Sequence, residues 1–357
     1  MGSPKLTKFK LVYQQHLIYK NGKMHDYYFG LANKESKEIV NSETIFELGS
    51  VTKTFTGLLL AQRVDAGEVR LNDDLDSYIK DSNRNSNDIK KITLIGLATF
   101  TSGLPYNARY ITYDAADTSE NERYLAEFME AWVNPYPQGV GFIYSNIGYS
   151  ILGKVIADHD HKPLVELFED DIFKQLNMKN SFLTIPEEKN DIYAQGYACD
   201  NTQSRTPQAG MLAGAWAIKS SAEDMSRYLH AALGLDDVPD EIRSAMKIAQ
   251  TGYFNFDDGS EIGFAWSVFN LGNFDKSSLL KFVPLQRYKR NMDFVNKVKY
   301  PKYTEHALIE KTGATDGFRA YIGVVPDEKV GVVILVNKFI CDNSAIKHAR
   351  RELILEK

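Results

Sequence analysis

Several things are scarce in this 357-residue chain, and each scarcity excludes something. There are two cysteines, Cys199 and Cys341, far apart in sequence. They form neither a CxxC pair nor a metal-binding cluster, and they read as two ordinary thiols rather than a disulfide. No apolar run approaches the roughly 18 residues that a membrane-spanning helix needs. Neither sign of charge dominates: the net charge of −5 is mildly acidic and argues against nucleic acid and anionic membrane as partners. The chain lacks HExxH, and His159-Asp160-His161 reads as a solvated turn rather than a metal site. No internal repeat is present. No leader is visible either, and the opening Met1-Gly2-Ser3 has the look of an expression scar.

What is present is ordinary globular composition, 43% hydrophobic and 25% charged. A chain of this size buries a large core without disulfides or metal, as two lobes or one large α/β domain. The runs FKLVYQQHLIYK and DYYFGLA within residues 8–33 are β-rich, and Asn21-Gly22 between them signals a hairpin. From Ser50 the apolar spacing turns helical, through Val51, Phe55, Leu58, Leu59 and Val64, with Gly67 as the stop. Residues 72–143 mix loops with short helical pieces such as Asn121–Trp132. Pro135, Pro137, Gly139 and Gly141 mark a loop before Tyr144, and Asn146–Ala157 reads as a second apolar helix.

From about residue 262 strands take over. GFAWSVFNL is one, and residues 318–325 and 330–337 make a hairpin around Pro326-Asp327-Glu328-Lys329. The second strand of that hairpin is apolar on both faces and should be central. Residues 344–356 read as a closing helix. The Lys-, Arg- and aromatic-rich stretch 275–305 reads as a solvated insertion rather than a lid. The fold class is α/β (α+β): an antiparallel sheet flanked by helices, plus a mostly helical lobe. The early and late strands share the sheet, so residues 1–50 with about 262–357 form one lobe and about 51–261 the other.

Three short motifs bear chemistry. SxxK occurs five times, at Ser50, Ser77, Ser244, Ser278 and Ser344, so spacing alone proves little. Only Ser50 follows a glycine and opens a long apolar helix. There Lys53 shares its face, and the helix N-terminus supplies free N–H groups and a positive dipole end. Taken alone, the motif fits a capping serine with a solvated lysine at least as well as a nucleophile with its proton partner. Tyr144-Ser145-Asn146 sits on a loop entering an apolar helix, where a tyrosine can point into a cleft or pack at a loop edge. Lys311-Thr312-Gly313 occurs once and leads into the apolar hairpin, offering a positive charge, a hydroxyl and room for ligand approach.

The order SxxK, YxN, KTG resembles class C β-lactamases and, more broadly, the serine hydrolases related to penicillin-binding proteins. The resemblance runs from about Leu17 onward. It is carried by FELGSVTKTFTG at 46–57, ITLIGLATFTSGLP at 92–105, YSNIGYSILG at 144–153, KTGATDGF at 311–318 and, more mildly, GFAWSVF at 263–269. It implies a β-lactamase/transpeptidase-like fold and an acyl-enzyme on Ser50, with Lys53 and Tyr144 sharing the nucleophile's proton. It implies that Asn146 holds Lys53 and the substrate amide, with Asn107 nearby. The N–H groups of Ser50 and Ala314 would form the oxyanion hole, with Gly313 beside them, and Lys311 and Thr312 would meet a substrate carboxylate.

The resemblance further implies a monomer acting on a small molecule without cofactor or metal. If a leader was removed, it implies a periplasmic or secreted enzyme of antibiotic resistance. Its relatives also include D-amino-acid peptidases and carboxylesterases, and a catalytically dead binding module is a further rival. Three departures bear on substrate range. Asp316 stands where a second glycine is common, and Phe339 and Asp342 stand where class C enzymes usually carry two asparagines. Gly148-Tyr149-Ser150 is no GxSxG elbow, because Leu152 holds the last glycine position, and Trp216 and Trp266 read as wall or core.

Overall fold

The computed structural model describes residues 14–79, 86–108, 118–206, 210, 213–274, 293–339 and 344–354. Cys341, Asp342 and residues 275–292 of the basic stretch lie outside the described residues.

Local chemistry starts the sheet. Asn21 and Gly22 both take positive φ, 54° and 73°, as a two-residue hairpin turn requires. Gln14–Lys20 and Lys23–Phe29 therefore pair antiparallel, with Lys20 opposite Lys23. Gln14–Lys20 also pairs with Val330–Val336, with Leu17 opposite Val333, so strands from both ends of the chain close one sheet.

Among the described residues that sheet has ten strands, and every pairing is antiparallel. The order is Lys23–Phe29, Gln14–Lys20, Val330–Val336, Arg319–Val325, Ala307–Ala314, Ser267–Asn270, Glu261–Ile262, Phe254–Phe256, Asp293–Lys297 and Gly141–Phe142. Val330–Val336 is buried along its whole length, as its two apolar faces foretell. Val333 and Leu335 join the large core shared with the helices. Val332, Ile334 and Val336 pack with Ala349 and Leu353 of the closing helix, Ser344–Ile354.

The helix that begins at Ser50 departs from the single-faced pattern its leucines suggest. A 3-10 turn, Gly49–Val51, leads into Thr52–Asp65, and every residue from Thr52 to Ala61 is buried. A helix enclosed all round must satisfy its polar side chains internally. Thr54 Oγ1 donates to Val51 O (2.8 Å) and accepts from Tyr228 OH (2.9 Å), while Thr56 Oγ1 donates to Gly214 O (2.6 Å). Phe55 stacks on Tyr228 at 3.8 Å between ring centroids.

Other elements differ from expectation for local reasons. Within GFAWSVFNL only Ser267–Asn270 is strand; Ala265 has φ 62°, and the Gly263 N–H donates to Trp266 O (2.8 Å) in a turn. Asp293–Lys297, in the stretch read as a solvated insertion, is a strand that pairs with Phe254–Phe256 and Gly141–Phe142. Helices form at Thr118–Ala131 and at Asn146–Asp160.

His159 and Asp160 are the last turn of the Asn146–Asp160 helix rather than a solvated turn. His161 closes it at φ 53°, and Asp160 is ion-paired with Arg63. Cys199 is disulfide-bonded, which overturns the reading of two ordinary thiols. Tyr197 runs alongside Lys338–Phe339, with the Phe339 N–H donating to Tyr197 O (2.8 Å), so stretches distant in sequence become neighbours. Among the described residues no helix is long and apolar enough to cross a membrane.

Candidate active site

Backbone packing sets the site. Gly49 has φ 51°, and a Cβ there would lie 2.6 Å from both N and O of Ala314. A Cβ on Gly313 would lie 1.9 Å from Leu48 O. Glycine at both positions lets the turn carrying Ser50 touch the Ala307–Ala314 strand backbone to backbone. Ser267–Asn270 pairs only with Ala307–Glu310 of that strand. Among the described residues, then, its Lys311–Ala314 half has one edge without a neighbouring strand, and its Gly313 face meets the Ser50 turn.

Ser50 does not cap its helix: Val51 is the N-cap residue, without a side-chain capping bond. Instead Ser50 Oγ accepts from Lys53 Nζ at 3.2 Å. Lys53 Nζ also donates to Asn146 Oδ1 (2.7 Å) and Ala215 O (2.8 Å). The side chain is fully enclosed. Its pKa falls well below the ordinary lysine value, first because burial penalises the ammonium and then because Lys311 adds a like charge.

Lys311 reaches the site from the strand, where its Nζ donates to Thr312 O (2.8 Å) and, at a longer 3.4 Å, to Tyr144 OH. Burial pushes its pKa down to about 7, against an upward pull from the Glu310 carboxylate. Tyr144 lies between the two lysines, with Lys53 Nζ 5.0 Å and Lys311 Nζ 5.2 Å from its ring centroid, and it stacks on Phe100 at 4.5 Å.

Two loops are tied together beneath these groups. Ser145 Oγ accepts from the Gly148 N–H (2.9 Å), capping its helix, and donates to Pro105 O (2.6 Å). The Asn146 N–H donates to Tyr106 O (2.8 Å), and Asn146 Nδ2 donates to Asn107 Oδ1 (2.9 Å). The sequence-derived residues Ser50, Lys53, Asn107, Tyr144, Asn146, Lys311, Thr312, Gly313 and Ala314 therefore converge on one place. Trp216 and Trp266 are both buried.

Sequence reasoning missed two features. One is the Ala215 carbonyl, the third partner of Lys53; a backbone acceptor leaves no side-chain signature. The other lies behind the KTG strand, where Glu310 accepts from Arg350 Nε and from Tyr321 OH, each at 2.8 Å, in a fully buried ion pair. Among the described residues Glu68, His159 and Asp160 form a possible ligand group, with ligand atoms within 4.8 Å of one another. Asp160 there is already engaged by Arg63 and His159.

Against known proteins, the beta-lactamase family model matches residues 15–356. A beta-lactamase of Psychrobacter immobilis is 31% identical over 341 residues, covering 93% of this chain and 80% of that protein. Among solved structures, a beta-lactamase/D-alanine carboxypeptidase from Pseudomonas syringae superposes with a TM-score of 0.86 at 26% identity, over 96% of this chain and 93% of that one. A class C beta lactamase from Rhodobacter sphaeroides gives 0.85 at 27% identity, over 97% and 95%. With the family match spanning nearly the whole chain and a serine–lysine pair at the head of its central helix, this protein belongs to the beta-lactamase family.

Proposed function

We propose that this enzyme is a serine β-lactamase of class C type, opening the lactam ring through an acyl-enzyme on Ser50. The observation that carries the reading is the hydrogen bond from a fully enclosed Lys53 to Ser50 Oγ. A lysine driven toward its neutral form can take the serine proton, which an ordinary lysine at neutral pH cannot. Tyr144, between Lys53 and Lys311, shares that proton.

In the reaction, Ser50 Oγ attacks the lactam carbonyl carbon. The N–H groups of Ser50 and Ala314 receive the developing oxyanion, with Gly313 keeping the strand close. The carbon–nitrogen bond breaks, and the ring nitrogen takes the proton first removed from Ser50. Water then attacks the ester and frees the serine. Asn146 and Asn107 hold the substrate amide, and Lys311 and Thr312 receive its carboxylate. The sheet lobe (1–50 with about 262–357) and the helical lobe (about 51–261) supply the two walls of the cleft. A monomer exported to the periplasm or secreted, with a part in antibiotic resistance, fits this reading.

The relative named beta-lactamase/D-alanine carboxypeptidase favours a second reading, action on peptides ending in D-alanine. Steady-state turnover of a cephalosporin, a D-Ala-D-Ala peptide and a short p-nitrophenyl ester, with Ser50→Ala as control, separates the two. Fast cephalosporin hydrolysis lost in Ser50→Ala supports the lactamase. A stable acyl adduct without turnover supports the peptidase, and full activity in Ser50→Ala refutes both.

A further inference from the structure

The core between the Ala307–Ala314 strand and the closing helix is largely apolar. Leu308, Val325, Val332, Ile334 and Leu353 pack there, yet Glu310 and Arg350 form an ion pair among them. A buried pair of this kind adds little stability over apolar residues of the same volume. Its presence asks for another use.

The carboxylate is fixed from two elements. Arg350 Nε donates to it from the closing helix and Tyr321 OH from the neighbouring strand, each at 2.8 Å. Gly323 lies across from Glu310, and a Cβ there would stand 2.4 Å from Tyr321 OH. Glycine at that position is what lets the tyrosine reach the carboxylate. Arginine keeps its charge at every working pH, so Glu310 is always faced by a cation.

Glu310 directly precedes Lys311, so the two side chains leave opposite faces of one strand. Glu310 faces the closing helix, and Lys311 faces the site. Both are buried, where charges act on each other with little screening. Among the described residues, the titratable groups facing Lys311 on the site side are Lys53, from the helix Thr52–Asp65, and Tyr144, from the loop before Asn146–Asp160. Lys53 opposes a second ammonium. Ile322, across from Lys311 on the neighbouring strand, has no charge. The Glu310 carboxylate, with Arg350 behind it, favours the Lys311 ammonium against its burial.

We propose that Glu310, clamped by Arg350 and Tyr321 on the far face of the strand, is a positioning residue that keeps Lys311 charged for the carboxylate of the substrate. This rests on the lactamase reading of the site. Glu310 never touches the substrate; it acts through the lysine beside it, across the thickness of one strand.

The test follows kcat/KM against pH for the wild type, Glu310→Gln and Glu310→Asp, on a cephalosporin bearing its ring carboxylate and on the methyl ester of the same compound. In the wild type, kcat/KM for the acid should fall above about pH 7 as Lys311 loses its proton. In Glu310→Gln that limb should move down by roughly 0.5–1 pH unit, a loss of roughly threefold to tenfold on the acid near pH 8, with the ester changed by less than about twofold. Glu310→Asp keeps the charge while loosening the contacts, so its limb should stay near that of the wild type. A merely structural role would harm Glu310→Asp at least as much as Glu310→Gln. If Glu310→Gln does not fold, Glu310→Met combined with Arg350→Met removes both charges and should move the limb in the same direction. An unmoved limb, an equal shift in Glu310→Asp, equal losses on acid and ester, or no limb peculiar to the acid in an active wild type overturns the role of Glu310 alone. A wild type that turns over neither compound refutes the lactamase reading itself, and the proposal falls with it.

Discussion

Replacing Lys311 with methionine should stabilise the protein near neutral pH and lose that advantage in alkali. The magnitude follows from one displaced titration. Lys311 is fully enclosed, and its pKa is pushed from 10.5 to about 7, chiefly by burial. That gap corresponds to about 5 kcal/mol against folding while the unfolded chain is fully protonated. Between the two pKa values the unfolded chain binds more protons than the folded one, so stability rises with pH across that window. The penalty is about 4 kcal/mol near pH 7 and about 1 kcal/mol near pH 10. Methionine has similar length and no charge. It forfeits the hydrogen bonds to Thr312 O and Tyr144 OH, together about 1–2 kcal/mol.

Lys311→Met should therefore be about 2–3 kcal/mol more stable than wild type near pH 7, and level or slightly less stable near pH 10. Urea unfolding of both proteins at the two pH values reads the difference directly, and carboxylates and histidines common to both cancel. Relief of the repulsion on Lys53 acts in the same direction. A stability difference that does not change with pH, or a variant weaker than wild type near pH 7, would refute the reasoning. The stabilised variant should also be a poor enzyme, because the charge that destabilises the fold is the one offered to substrate.

Three further outcomes follow from the same geometry. Because the Lys311 charge depresses the pKa of Lys53, Lys311→Met should move the acidic limb of the kcat profile on a neutral ester substrate to higher pH; an unmoved limb would mean that the two lysines do not communicate. Gly313→Ala forces a Cβ to within 1.9 Å of Leu48 O, a backbone atom, and should cost about 1–3 kcal/mol by urea unfolding together with most of the turnover. Arg350→Met strands Glu310 as a buried charge and should cost about 3–5 kcal/mol, whereas Arg350→Met combined with Glu310→Met should recover much of that loss.

Local chemistry made some elements legible and long-range pairing hid others. The Asn21-Gly22 hairpin, the helix opening at Ser50 and the doubly apolar Val330–Val336 strand each announce themselves in a few consecutive residues. Gly141–Phe142 and Glu261–Ile262 do not, because a two-residue strand exists only through the neighbour it pairs with. The reach of the Ser50 helix was legible while its enclosure was not. Its three buried threonines look polar in sequence, and each hydroxyl meets a group from a distant segment, the Ile218 N–H for Thr52, Tyr228 OH for Thr54 and Gly214 O for Thr56. For the candidate site, Ser50, Tyr144 and Lys311 were legible as motifs in a given order. The Ala215 carbonyl and the Glu310–Arg350 pair were not, since the first is a backbone atom and the second joins two residues that meet only where the closing helix packs on the sheet.

Burial alone does not make a lysine reactive, and this fold holds its own controls. Arg350 is as deeply enclosed as Lys53, yet its pKa is raised, because the Glu310 carboxylate repays the desolvation. Arg63 behaves likewise beside Asp160 and Asp171. Lys53 is surrounded differently. Its hydrogen-bond acceptors are a hydroxyl, an amide oxygen and a peptide carbonyl, all neutral, and the nearest charge acting on it is another lysine. A carboxylate in place of Asn146 would pin the ammonium form and leave Ser50 without a proton acceptor. The amide can orient the lysine without holding its proton. The difference between a structural cation and a reactive one in this protein therefore lies in the charge of the partners, and Asn146 is the residue through which that choice is made.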